Sequence, residues 1–274
     1  MKHHYWLTGL FLTLSVWAAA HEFWLQPTRF FARPGDVIQV RTLVGEHFSG
    51  EPSEGKKNRI VQYKHYSALD EMDLSPALSG DNYGDVAVKL TRPGTHMLVF
   101  ANTPKFIELA PDKFLDYLRE DGLDNVIALR KQRGDTAKPG RELYQRCAKT
   151  LIQVGDTPGK TVQQTANLPL DIVPVQNPYA LKAGQRLGLQ IRFLGKPLAA
   201  ARVRYWVKNE AGNVQEEESR TNANGQAQFT LKSGQNMVST VRMIPAEAGL
   251  STGQPAGQLA EWHSYWGSLT FGCR

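Results

Sequence analysis

Five histidines carry the residue type in this chain best suited to metal chemistry: His21, His47, His65, His96 and His263, apart from the pair at positions 3 and 4. His21 stands out for what precedes it. Met1-Lys2-His3-His4 leads into an apolar stretch over residues 5–17, and Ala18-Ala19-Ala20 closes it. A basic start, a short apolar stretch and small residues before a cut are the three parts of a secretory signal. The stretch is shorter than the roughly 20 apolar residues a bilayer-spanning helix needs. Cleavage after Ala20 would make His21 the first residue. Its α-amine, with a reference pKa of about 7.7–8.0, and its imidazole, at about 6.5, then both lose protons near neutral pH, as metal ligation requires. Amine and ring nitrogen close a chelate on one ion. One further histidine completes a T-shaped three-nitrogen site, a histidine brace, and nitrogen donors in a plane suit Cu(II) or Ni(II).

The partner of His21 is open among several histidines. His47 lies in Gly45-Glu46-His47-Phe48, just after a strand-like run, and His96 follows the turn Arg92-Pro93-Gly94-Thr95. Both are strand edges, where a ligand projects at no burial cost, and they are the best partners. His263 sits among Trp262, Tyr265 and Trp266, and His65 lies within Tyr63-Lys64-His65-Tyr66. The expected metal ligands are therefore His21, His47, His96 and His263, for a divalent transition metal: nickel, copper or cobalt. Met72, Met97, Met237 and Met243 are scattered and make no soft copper site. Trp262, Tyr265 and Trp266 read either as a sugar platform or as the packing of a terminal strand.

Several classes of function are excluded by pattern. There is no Gly-x-Ser-x-Gly, P-loop, dinucleotide fingerprint or His-Glu-x-x-His. The formal charge of +6 becomes +5 without Lys2, 31 basic against 26 acidic residues. Only Lys56-Lys57 and Arg130-Lys131-Gln132-Arg133 are basic clusters, so a nucleic-acid partner is not expected. Cys147 and Cys273 are the only cysteines. An exported protein can join them, and the sequence leaves that pairing open.

The elements that must position these residues read as strands. Apolar alternation between Gly, Pro and Asn turns predicts strands over residues 37–44, 59–66, 85–90 and 96–101. Further strands fall at 168–173, 187–193, 201–208, 226–231, 237–244 and 264–271. Residues 111–133 break the pattern: Pro111 and Asp112 start a helix, with Phe114, Leu115 and Leu118 at helical spacing, and a second follows Gly122. Residues 142–154 read as a strand, and 155–167 as a connection. The fold class is mainly β: two immunoglobulin-like or prealbumin-like β-sandwich domains with a short helical insertion in the first. The layout is a signal over 1–20, an N-terminal sandwich over 21–155 with its insertion near 111–133, and a C-terminal sandwich over 168–274. Gly195-Lys196-Pro197-Leu198 and Thr221-Asn222-Ala223-Asn224-Gly225 carry the prealbumin-like reading.

Several motifs together resemble a family. They are His21-Glu22-Phe23-Trp24-Leu25-x-Pro27, Gly45-Glu46-His47-Phe48, Phe114-Leu115-x-Tyr117-Leu118 and Arg141-Glu142-Leu143-Tyr144-x-Arg146-Cys147-Ala148-Lys149. To these add Leu170-Asp171-Ile172-Val173-Pro174, Asn177-Pro178-Tyr179 and Ser264-Tyr265-Trp266-x-Ser268-Leu269-Thr270-Phe271. Over nearly the whole mature chain the sequence resembles a bacterial periplasmic family of unknown function labelled nickel-uptake substrate-specific, or NikM-like. The resemblance implies a secreted, metal-associated accessory protein without catalytic residues. One departure matters: where members carry His before Met in the penultimate strand, this chain has Arg242-Met243, and His263 stands where they carry an acidic residue.

The expected function is a periplasmic or secreted metal-binding accessory protein for uptake or homeostasis, partnered by a membrane transporter or outer-membrane receptor. It is not expected to be an integral membrane protein. A metal-independent envelope-binding module is the alternative, and a copper-dependent oxidase or monooxygenase a further one, requiring an open coordination position. Intact mass of the exported protein should place the N-terminus at His21. A cut one residue to either side would abolish the chelate and the reading built on it.

Overall fold

The computed structural model describes residues 22–78, 83–247 and 259–274. The expected signal over residues 1–20, and His21 with it, lie outside the described residues. The architecture is three β-layers. A ten-stranded central sheet lies in the middle, and a four-stranded sheet covers each of its two faces. The N-terminal outer sheet is built on Glu22–Pro27 and Asp36–Glu46, paired antiparallel with Glu22 opposite Gly45. The C-terminal outer sheet is built on Leu170–Pro174 and Arg186–Phe193.

The central sheet needs apolar side chains on both faces, and the alternation of its strands supplies them. Along Gly140–Val154, Ala148, Ile152 and Val154 join the core under the N-terminal sheet, with Leu25, Ile38, Val40 and Leu90. The residues between, Cys147 and Leu151, join the core under the C-terminal sheet, with Leu170, Leu189, Phe229 and Leu269. The two expected sandwiches thus share their middle layer. The connection at 155–167 separates the outer sheets but not the central one, because Trp262–Cys273 pairs in parallel with Gly140–Val154, Cys147 opposite Gly267. That register sets Cys273 six residues farther along, about 20 Å at strand rise and beyond disulfide reach; both cysteines are free and buried.

The expected helical insertion is two helices, α1 (Pro111–Glu120) and α2 (Asp124–Arg133). Pro111 starts α1 where a missing N–H is no loss, and Phe114, Tyr117 and Leu118 form its buried stripe. Both helices pack with Met243, Trp262 and Trp266 of the central sheet. Gly140 allows the approach, since a Cβ there would fall 2.1 Å from the Phe114 ring. α1 ends on Gly122 at φ +65°. Leu123 N–H donates to the Leu118 carbonyl at 2.8 Å and Gly122 N–H to Arg119 at 3.1 Å, the two bonds of a Schellman cap. This cap turns Asp121 and the last carbonyls of α1 toward the central sheet.

No helix among the described residues is long and apolar enough to cross a membrane. Because Gly140–Val154 serves both cores and Trp262–Cys273 pairs along it, thermal unfolding should be one cooperative transition. Leu269→Ala, at a fully buried position, should lower stability by about 2–5 kcal/mol and move the whole transition. Two separate transitions, only one of them shifted, would refute the shared core.

Candidate functional site

The strand Arg202–Lys208 presents Arg202, Arg204 and Trp206 on one face, opposite Arg220, Glu218 and Glu216 of the edge strand Val214–Arg220. Arg204 is the hub of this face. Its Nη1 lies 3.3 Å from the Glu22 carboxylate and 3.2 Å from that of Asp121, and Nη2 donates to the Glu120 carbonyl. Its Nε lies 3.4 Å from Glu216 and 3.7 Å from Glu218. Arg202 donates to the Glu120 carbonyl at 2.5 Å. Cationic groups at the last turn of a helix satisfy its open carbonyls and its dipole, so α1 is docked by its C-terminus onto two arginines.

Buried carboxylates crowd this docking point. Burial raises the Glu22 carboxyl above its usual range, against the pull of Arg204. Burial also raises Asp121 well above its own, with Arg204 opposing and Glu22 adding. Glu142, on Gly140–Val154, with two strands between it and Arg202–Lys208 in the central sheet, is pushed by burial to about 7, although Ser264 and Tyr117 donate to its Oε1. Trp266 Nε1 donates to Ser264 Oγ at 3.0 Å. The Arg146 guanidinium lies 4.9 Å from the Trp266 ring, 5.1 Å from Tyr144 and 5.8 Å from Phe23. A void of about 10 Å³ between Glu22, Asp121, Arg204 and Ser268 has room for one water.

His47 sits on the same face. It and Phe48 form the two-residue loop between Asp36–Glu46 and Ser49–Pro52, where Glu46 pairs with Ser49. Both have positive φ, 51° and 54°, as a type I′ hairpin turn requires and as neither side chain prefers. Aromatic contacts hold the tip: His47 against Trp206 at 5.4 Å and Phe48 against Trp24 at 5.6 Å. His47 also acts electrostatically on Glu216, drawing its carboxyl down against the upward push of burial.

The other expected ligands are elsewhere, and the structure does not bring them together. His96 has both ring nitrogens engaged, Nε2 with the Arg92 carbonyl at 2.9 Å and Nδ1 with His65 Nε2 at 2.7 Å. The two rings stack 5.0 Å apart, and burial lowers both pKa values, that of His65 to about 4. Phe100, which packs on Phe23, is four residues from His96, about 13 Å along the strand. The strand-edge reading of His96 as a free ligand is therefore corrected. His263 alternates with Trp262 and Ser264 and shares the face of Tyr265, whose hydroxyl lies 3.1 Å from His263 Nδ1. It points into the C-terminal side of the sheet, away from Glu22, and burial lowers it to about 4. His263 is thus no co-ligand for a group on the Glu22 face. Among the described residues no three His, Cys, Asp or Glu side chains form a metal-binding group. A transition-metal site on the His47 face would need donors from His21.

Sequence reading missed Arg204, Asp121 and Glu142. The signals for them were faint: a charged residue inside an apolar strand, an acid before a helix-ending glycine, and a Glu in an otherwise buried run.

Glu142 generates a pH test. Its folded pKa of about 7 exceeds the reference 4.5, so its contribution is complete below 4.5 and is lost as pH rises through 7. The wild type should lose of order 3 kcal/mol across that window from this group. Glu142→Gln should flatten that loss in denaturant titrations at the two ends, and an unchanged slope would show that Glu142 titrates normally.

Sequence and structure comparisons enlarge this picture in one respect. No curated protein matches the chain. Among solved structures, the D0–D1 domain of intimin is 11% identical over 92% of this chain and 97% of that one, with a TM-score of 0.22. Three N-terminal domains of the bacteriophage RB49 Highly Immunogenic Outer Capsid protein are 6% identical over 93% and 100%, also at 0.22. A DUF3823 family protein from Bacteroides uniformis is 8% identical over 93% and 100%, at 0.21. Scores this low carry no argument about fold or function. A family model for a domain of unknown function, DUF4198, matches residues 18–243, and the chain belongs to that family.

Proposed function

We propose that the mature protein, beginning at His21, captures a divalent transition metal outside the cytoplasm and holds it for an uptake system. The ion is cargo. The α-amine and ring of His21 supply two donors, and His47 is the third. Glu216 supplies a carboxylate that offsets the charge of the ion, and nickel, copper and cobalt all accept such a nitrogen-rich set.

One observation carries this reading: Glu22, bonded directly to His21, is anchored by Arg204 on the face that carries His47 and Glu216. The residues around His47 have roles short of ligation. Arg204 fixes the start of the described chain, Trp206 holds the hairpin tip, and buried Phe48 anchors that tip against Trp24. His96 and His263 take no part, for the reasons of geometry already given.

The test is titration of Ni(II) and Cu(II) into protein whose N-terminus has been verified as His21. His21→Ala and His47→Ala should each weaken binding at least about tenfold, the scale for losing part of a metal site. His96→Gln and His263→Gln should bind as the wild type does. Equal affinity in wild type, His21→Ala and His47→Ala would overturn the reading and favour a metal-independent binding module.

A further inference from the structure

The C-terminal core contains a pair of opposite charges that the face described above does not use. Lys149 lies between Cys147 and Leu151 on Gly140–Val154, and Asp171 lies on Leu170–Pro174, a strand buried at each of its five positions. The side chains are 1% and 5% exposed, and Nζ lies 2.5 Å from Oδ1. Around them are Leu151, Leu168, Leu170 and Ile172 of the same apolar core. The contact is close but not aligned as a hydrogen bond, and neither Lys149 Nζ nor Asp171 Oδ1 has any other hydrogen-bond partner.

That arrangement is a poor salt bridge. Two buried charges lose their hydration, and the loss is offset only by good geometry and further hydrogen bonds. Neither is present here. It is a good arrangement for condensation, because an amine and a carboxyl are held in contact in a dry core. Two weak acids lie within electrostatic reach of Asp171. Burial pushes the Cys147 thiol up to about 12 and raises the Tyr66 hydroxyl, so both remain protonated and add no charge to the pair.

We propose that Lys149 and Asp171 join in an intramolecular isopeptide bond between the central sheet and the C-terminal outer sheet. The Lys149 ammonium first passes one proton to the Asp171 carboxylate. The Nζ lone pair then attacks Cγ, forming the C–N bond. The C–O bond to the protonated oxygen breaks, and that oxygen leaves as water, with the second proton shed by Nζ. The products are one secondary amide and one water. Nothing is oxidised or reduced, and no co-reactant is consumed. The bond replaces two buried charges with one neutral group and closes the chain on itself between positions 149 and 171.

The test is peptide-level and intact mass spectrometry of the full exported chain, with its N-terminus assigned independently. The expected result is a protein one water lighter than its residues, and a branched peptide joining Lys149 to Asp171. Asp171→Ala and Lys149→Met should restore the full mass and abolish the branch. Should a single variant fail to fold, the double variant Lys149→Met/Asp171→Leu keeps the site apolar and supplies a folded, unlinked reference, which should lose its protease resistance at a lower temperature than wild type. A wild-type chain at full mass, with residues 149 and 171 on separate peptides, overturns the proposal. So does a light chain whose branch joins other residues. Neither outcome depends on whether the protein binds metal.

Discussion

One guanidinium organises the molecule. Arg204 meets the first residue of the N-terminal outer sheet, the end of α1 and the acidic edge of the central sheet at once. The Glu22 and Asp121 carboxylates in contact with it would otherwise be charges stranded under packed side chains. Breaking such a pair by removing one partner costs far more than never having had it. The three elements are therefore held in mutual register by electrostatics as much as by apolar contact. α1 docks onto the same arginine because its Schellman cap leaves the Glu120 carbonyl open at its C-terminus.

The fold was legible where one residue type repeats along one face. The strands over Asp36–Glu46, Val86–Leu90 and Arg186–Phe193, and both helices, follow from alternation, helical spacing and turn residues. Legibility failed where both faces of a strand are covered or where neither is apolar. Glu22–Pro27 is buried at five of its six positions, so no alternation marks it as a strand. Val214–Arg220 reads Val-Gln-Glu-Glu-Glu-Ser-Arg and looks like a loop, yet it is a strand because Arg202, Arg204 and Lys232 meet its glutamates. The shared central sheet had no local sign either. It depends on a parallel pairing between segments about 120 positions apart in the chain, Glu142 opposite Trp262.

The candidate site was legible in part for the same reason. A histidine is recognised by its type, but its availability depends on neighbours distant in sequence. His96 was spent because His65, on the adjoining strand, turned toward it. His263 was lost to the site because strand parity put it on the wrong side of the sheet. His47 stays exposed at the tip of a two-residue turn, its ring against Trp206 and not drawn into a partner's hydrogen bonds. Arg204, the residue that draws His47 and the chain start onto one face, belongs to a strand whose sequence advertised only burial.

The place of the final strand, Trp262–Cys273, sets an order on the life of the protein. Among the described segments it comes last along the chain, yet it lies inside the central sheet, between Gly140–Val154 and Gly234–Pro245. Until it pairs, both neighbours present open edges, and the core under the C-terminal sheet and the cluster under the helices lack part of their lining. Pairings between distant segments also form slowly. A chain of this design completes its central sheet only once residues 262–273 are available to pair. Loss of these twelve residues would leave an aggregation-prone sheet with its middle missing.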